Sequence, residues 1–277
     1  MNIRQAVAEG ANRLEGVATQ PRRDAELLLM RLLGCDRAFL LTRPDAVLTA
    51  EQAVMYESWL RRRATHEPVQ YILGEQEFFG LTFAVTPDVL IPRPETEHLV
   101  EALVARVPHD RALRIADIGT GSGAIAVALA VSLPHAQITA LDISSAALAV
   151  ALGNAEAHHV ADRIRFLESD LLSAVAGESF DAVVSNPPYV AEKDRTLLEP
   201  QVRDYEPHGA LFAGPAGLDV YARLIPQAHD AIRPGGWLLV EIGQGQRDAL
   251  AQLFSGWRNA RFVDDLQGIP RVACAQR

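Results

Sequence analysis

Asn186-Pro187-Pro188-Tyr189 follows directly on the apolar run Phe180 to Ser185. At the carboxyl end of a buried strand, the asparagine side chain presents one carbonyl acceptor. The two prolines, whose φ is locked, hold the next backbone carbonyls rigidly beside it. Two acceptors can grip one NH2 group, and the Tyr189 ring adds a flat apolar wall for a planar amide or base. Asn186, Pro187, Pro188 and Tyr189 are therefore the expected catalytic group, built for chemistry at a planar nitrogen.

A second constellation, Asp117-Ile118-Gly119-Thr120-Gly121-Ser122-Gly123, reads as a strand turning into a helix. Its glycines let the backbone turn tightly and approach a ligand, and the helix N-terminus offers free N–H groups to an anion. Asp142 ends the next strand, 23 residues after Gly119. That is close to the separation at which an acidic residue receives ribose hydroxyls, although it could also cap the following helix. A dinucleotide would bring its pyrophosphate up against the Asp117 carboxylate. S-adenosylmethionine brings a sulfonium and an ammonium instead, which a carboxylate favours, and its own carboxylate can use the helix N-terminus. Asp170 could accept from an adenine amino group, or serve as a cap, with Leu171 supplying a backbone N–H and an apolar contact.

These motifs need a scaffold, and the hydropathy pattern describes one. From about Glu95 onward helices and strands alternate: helix 97–106, strand 114–118, helix 124–131, strand 137–141, helix 145–157, strands 164–167 and 181–185, helix 219–232 and strand 237–242. Such alternation predicts an α/β fold with a doubly wound parallel sheet, and on such sheets ligands bind outside the carboxyl ends of the strands. Every motif above falls at such an end. Residues 1–67 read instead as a small helical bundle, with Ala25, Leu28, Leu29, Leu32 and Leu33 at helical spacing and a capping box at Thr49 to Gln52. Between them, 68–94 alternates apolar and polar residues around Gly74 and Gly80, as a linker with a β-hairpin.

Composition narrows the function classes. The 277 residues carry a net charge of −9. Ten arginines balance ten acidic residues through Glu75, so the remainder, with 16 basic and 25 acidic residues, holds the whole excess. A surface that grips a nucleic-acid backbone usually shows the opposite sign, so no direct nucleic-acid contact is expected. Arg61-Arg62-Arg63 could touch RNA or an acidic partner, but at the end of a helix such a run more often compensates the dipole. Cys35 and Cys274 form no Cys-x-x-Cys pair, and no metal site is expected. No apolar stretch is long enough for a membrane span and no signal-peptide core is visible, so the expected location is cytoplasmic.

The glycine motif, Asp142, Asp170 and Asn186 to Tyr189 resemble the cofactor and substrate motifs of class I methyltransferases that act on planar nitrogens. Pro68 to Gly74, Phe78 to Phe83, Ile91 to Glu97, Tyr205-Glu206-Pro207, Ala210-Leu211 and Gly217-Leu218-Asp219 further resemble segments of the PrmC/HemK family. The resemblance spans nearly the whole chain. It implies a Rossmann-like class I methyltransferase domain over 95–277, preceded by a helical domain over 1–67 that docks the substrate. It also implies N5-methylation of the glutamine in the Gly-Gly-Gln motif of peptide chain release factors, with S-adenosylmethionine as cofactor. Carried over by residue, Gly119 to Gly123, Asp142, Leu171 and Asn186 would contact the cofactor, and Asn186 to Tyr189 would hold the glutamine. Leu171 departs from the family, where an aromatic residue is common. Arg93 to Thr96 would cover the methionine end or form a structural turn. A ribosomal-protein glutamine would need the same pocket; a DNA or RNA amino group would too, but the acidic balance disfavours it.

Overall fold

A computed structural model describes residues 1–277, which divide into two compact units. Unit 1 comprises Met1–Glu75 together with Glu199–Tyr205, and unit 2 comprises Gln76–Leu198 and Glu206–Arg277.

Unit 1 is helical: α1 (Ile3–Arg13), α2 (Pro21–Leu33), α3 (Arg37–Thr42), α4 (Ala50–Arg63) and α5 (Val69–Leu73). Local chemistry sets the boundaries. Thr49 and Gln52 exchange bonds of 3.1 and 2.9 Å in the expected capping box, and Asn2 with Gln5 forms a second one ahead of α1. Pro21 opens α2, and Gly34, in left-handed conformation, closes it. The apolar faces of α1, α2 and α4 enclose Ile3, Leu14, Leu28, Leu29, Tyr56 and Leu60. The Tyr56 hydroxyl lies 3.2 and 3.1 Å from the carbonyl oxygens of Ala6 and Ala25, binding three helices at one point.

A hairpin leads into unit 2, β1 (Glu75–Phe78, all but its first residue in unit 2) and β2 (Leu81–Ala84), whose turn residues Phe79 and Gly80 both have positive φ. A two-residue turn of that kind matches strand twist, and the Phe79 N–H is held by Glu97 Oε1 at 2.8 Å. The chain then runs through α6 (Glu97–Val104), β3 (Arg114–Ile118), α7 (Ala124–Ser132), β4 (Gln137–Asp142), α8 (Ser145–Ala157), β5 (Ile164–Glu168) and β6 (Phe180–Ser185). Next come α9 (Pro200–Tyr205), which belongs to unit 1, α10 (His208–Leu211), α11 (Asp219–Ala231), β7 (Ile232–Glu241), α12 (Arg247–Leu253), β8 (Arg258–Asp264) and β9 (Pro270–Gln276). Within unit 1, α9 is held by a 3.1 Å bond from Arg63 to Gln201 and by the Tyr205 hydroxyl on the Thr65 carbonyl at 2.6 Å.

Seven strands form one sheet in the order β5-β4-β3-β6-β7-β9-β8. The first five are parallel, while β9 runs antiparallel to both β7 and β8. The parallel doubly wound sheet expected from the alternation is thus present, extended by two antiparallel strands the pattern did not reveal. The reason lies in β8, which is largely exposed and carries no apolar alternation. Side chains alternate between two cores. Ile115, Ala182 and Val184 face α6 and α7, whereas Ala116, Val183 and Val240 face α11 and α12. Helix α7 is buried from Ala124 to Ala130, which explains why it reads as a continuous apolar run. No helix is long and apolar enough to cross a membrane.

Gly10 of α1 shows how tightly unit 1 is packed, since a Cβ there would lie 2.5 Å from the Tyr56 hydroxyl and 3.0 Å from the Ala25 Cβ. Alanine would add up to about 1 kcal/mol of helix propensity. Overpacking costs about 1–3 kcal/mol and should win. Gly10→Ala is expected to lower the denaturant midpoint; a raised midpoint would show that the three helices can move apart freely.

Candidate active site

Strands β3, β4, β5 and β6 all point their carboxyl ends at one cavity of about 340 Å³ inside unit 2. The order reverses between β3 and β6, the switch point at which such sheets open a crevice. The glycine loop forms one wall. Gly119, Gly121 and Gly123 have φ of 69°, 55° and 78°, values L side chains resist. The N–H groups of Gly119 and Thr120 both bond to the Leu141 carbonyl, at 2.8 and 3.0 Å, so the loop is pinned to the end of β4. Asp142 completes the pin: one oxygen accepts from the Gly121 N–H at 2.8 Å and the other from the Ser144 N–H at 2.9 Å. Ser144 caps α8, leaving Asp142 as part of the cavity wall. Helix α7 starts at the loop without any side-chain cap.

Asp117 stands elsewhere than the charge argument supposed. It is fully buried beneath the loop, absent from the cavity wall, and accepts from the Thr120 hydroxyl at 2.6 Å. Its second oxygen faces the Ala126 N–H without a well-formed hydrogen bond. Burial, more than the neighbouring Asp142 charge, raises it to about 7. The carboxylates on the wall are Asp88, Asp142 and Asp170.

On the opposite wall stands Asn186, at the end of β6. Its NH2 donates to Thr96 Oγ1 at 3.1 Å, and Thr96 in turn meets Glu241 Oε2 at 2.5 Å. Tyr189 reaches the other Glu241 oxygen at 3.2 Å. Asn186 and Pro188 line the cavity, while Pro187 is buried behind them and Tyr189 is directed toward Glu241. The backbone here is clamped. Ser185 bonds the Ile118 carbonyl at 2.7 Å, and Gln246 bonds the carbonyls of Tyr189 and Gly217 at 3.0 and 3.1 Å. A Cβ on Gly217 would lie 2.2 Å from the Tyr189 carbonyl oxygen, so only glycine lets the two segments meet.

The rim holds Asp170, ion-paired with Arg223, and Leu171 with φ of 52°. A left-handed leucine is held there by the Ser169 hydroxyl on its carbonyl at 2.8 Å. Arg93 on the same wall pairs with buried Glu206 at 2.5 Å, tying the 91–96 segment to the chain entering α10. Burial pushes the Glu206 carboxyl up against the pull of Arg93.

Glu241, Gln246 and Asn154 escaped the motif reading, and Thr96 entered it only as the end of the Arg93 to Thr96 segment. Thr96, Glu241 and Gln246 join segments remote in sequence. Asn154, buried on α8, donates to the carbonyls of Ala84 and Ser122 at 3.0 and 2.8 Å, locking the hairpin to the glycine loop. The available signals were a carboxylate closing the apolar run Leu238 to Val240 and an amide on the inward phase of an alanine-rich helix.

Asp117 and Glu241 are both raised by burial to about 7. Unfolded carboxyls titrate near ~4, so each holds its proton longer in the folded chain. The stability this contributes is complete below the unfolded value and is lost as pH rises through about 7, on the order of 3 kcal/mol apiece. Denaturation of the ligand-free protein across a pH series should therefore show stability falling from about pH 4 and levelling above about pH 7. Asp117→Asn should roughly halve that slope; an unchanged slope would mean the buried carboxyl does not titrate as described.

Residues 5–74 match the PrmC N-terminal domain family, and residues 95–209 match the Methyltransferase small domain family. The chain is 46% identical over 279 residues to the release factor glutamine methyltransferase of Koribacter versatilis, covering 100% of this chain and 99% of that one. It is 41% identical over 279 residues to that of Coxiella burnetii, again covering 100% and 99%. Among solved structures, the hMettl16 catalytic domain matches with a TM-score of 0.57, 18% identity and 82% of each chain covered. A methyltransferase from Pyrococcus furiosus matches with a TM-score of 0.52 and 16% identity, covering 72% of this chain and 90% of that one. Likeness at those identities is one of fold, and the fold is that of methyltransferases. The full-length identities go further: the chain belongs to the release factor glutamine methyltransferase family, whose methyl donor is S-adenosylmethionine.

Proposed function

We propose that this protein transfers a methyl group from S-adenosylmethionine to the side-chain N5 of the glutamine in the Gly-Gly-Gln loop of peptide chain release factors. The observation that carries the reading is the Asn186 amide, fixed at the cavity wall with its NH2 committed to Thr96. Full-length kinship with release factor glutamine methyltransferases supports the choice of glutamine over a nucleobase.

The cavity fits the donor. It has an uncapped helix N-terminus for a carboxylate, and Asp142 at the end of β4 for ribose hydroxyls. The residues assigned to hold it are Gly119 to Gly123, Asp142, Asp170, Leu171 and Asn186, with Asp117 supporting the loop from below. Bound there, S-adenosylmethionine supplies a methyl group on a cationic sulfur. Asp142 already accepts two backbone N–H groups and retains lone pairs for further donors.

A glutamine amide nitrogen is a weak nucleophile because its lone pair is delocalised into the carbonyl. The cavity wall carries no histidine, lysine or cysteine that could remove its proton beforehand. Orientation has to do the work instead. The Asn186 carbonyl oxygen and the Pro187 backbone carbonyl accept the two N–H bonds, draw electron density toward nitrogen and aim it along the transfer line. The Pro188 ring on the cavity wall limits where the amide plane can lie. The product's surplus proton leaves to water. Unit 1 is assigned to dock the body of the release factor, and the reaction to the cytoplasm.

The decisive measurement is the mass of the Gly-Gly-Gln peptide of a release factor after incubation with protein and donor. One added methyl on glutamine is expected, with none on a ribosomal protein or on duplex DNA run in parallel. Methyl transfer to either of those with the release factor untouched would refute the reading. Asn186→Ala should lower turnover roughly 10²- to 10³-fold, by analogy with loss of one oxyanion-hole donor.

A further inference from the structure

Glu241 ends β7 fully enclosed, and its neighbours leave little freedom in where the hydrogens lie. Thr96 Oγ1 is 2.5 Å from Oε2, and the Tyr189 hydroxyl is 3.2 Å from Oε1. The Tyr221 hydroxyl is committed to the Glu241 backbone carbonyl at 2.7 Å. An ionised carboxylate can only accept, so Thr96 and Tyr189 must both donate to it. Having given its one hydrogen to Glu241, the Thr96 oxygen can only accept from Asn186 at 3.1 Å. The amide end facing Thr96 is therefore NH2. Its opposite end, the carbonyl oxygen, meets no donor in the chain and is not sealed from its surroundings.

We propose that Glu241, acting through Thr96, is a positioning residue that sets which end of the Asn186 amide faces the substrate. It thereby selects a nitrogen that donates hydrogen over one that accepts it. The inference rests on the glutamine-methylation reading above and adds the device that orients its key acceptor. With the amide reversed, an NH2 would confront the substrate NH2 and two donors would oppose each other. Around the carboxyl stand Glu95 and Thr96 ahead of α6, Tyr189 after β6, Tyr221 on α11 and Arg271 on β9. Burial outweighs the attraction of Arg271 and holds Glu241 at about 7. Assays at about pH 8 keep it an acceptor.

The test is steady-state methylation of a purified release factor by wild type, Thr96→Val, Thr96→Ser, Glu241→Met and the double variant Thr96→Val/Glu241→Met. Cooperative thermal unfolding confirms that each is folded. Thr96→Val keeps the shape and removes the hydroxyl. Its kcat should fall about 10- to 100-fold, as for a misplaced reacting group, while KM for the release factor stays within about threefold. Thr96→Ser, which restores the hydroxyl, should bring kcat back to within about threefold of wild type. Glu241→Met should lose as much as Thr96→Val, and the double variant no more than the worse single, because both act through one contact. Should Glu241→Met fail to fold, the valine and serine pair decides alone. Wild-type kcat in Thr96→Val, equal damage in Thr96→Ser, or losses that multiply in the double variant would overturn the relay while wild-type methylation of the release factor upholds the function. A wild-type protein that leaves the release factor unmodified overturns both.

Discussion

A carboxylate taken out of water must be supplied with hydrogen-bond donors, and at the end of β7 that demand organises the chain around it. Glu241 draws Thr96 from the turn before α6 and Tyr189 from the loop after β6, two segments that would otherwise have no reason to converge. Asn186 is reached through the first of them. Desolvation makes the arrangement costly, so it persists only because the surrounding backbone is held independently, by Ser185 on Ile118 and by Gln246 on two carbonyls. Rigidity at the tetrapeptide is therefore inherited from the sheet and does not reside in the prolines alone.

The same logic governs the opposite wall. Gly119 to Gly123 could adopt many conformations as an isolated peptide. Here the Leu141 carbonyl takes two of its N–H groups, Asp142 takes a third, and Asn154 holds the Ser122 carbonyl from behind. Asp117 lies beneath this loop, where it ties Thr120 in place. Both walls thus rest on buried polar groups whose partners lie on neighbouring strands or helices, and the parallel register of β3, β4 and β6 brings those partners level.

Much of this was legible because the chemistry is local. Asn186 to Tyr189, the glycine loop and Asp142 are short contiguous signals at strand ends, and the alternation of apolar runs located those ends to within a residue or two. The contact between Thr96 and Glu241 was not legible: they are 145 residues apart, and nothing in the sequence pairs a threonine after a proline-rich turn with a carboxylate closing a strand. Asp117 shows a different failure. Its charge was read as facing the ligand, yet side-chain direction at the end of a strand depends on which face is covered, and here Asp117 lies under the first turn of α7. The antiparallel strands were missed for a third reason. β8 is mostly exposed, and β9 carries only the short buried run Val272 to Ala275, so neither shows a long period-two signature.

The position of β9 has a bearing on how the molecule comes into being. It lies between β7 and β8 although it follows both in the chain, so β8 has no neighbour to pair with until β9 arrives. During synthesis, the parallel strands that carry the glycine loop and the tetrapeptide can assemble first. One flank of β7 then remains an open edge, and Glu241 lacks the Arg271 guanidinium that faces it from β9. Closure of that flank by the late hairpin is the step that converts a partly formed sheet with an exposed, pairing-prone border into a finished enzyme.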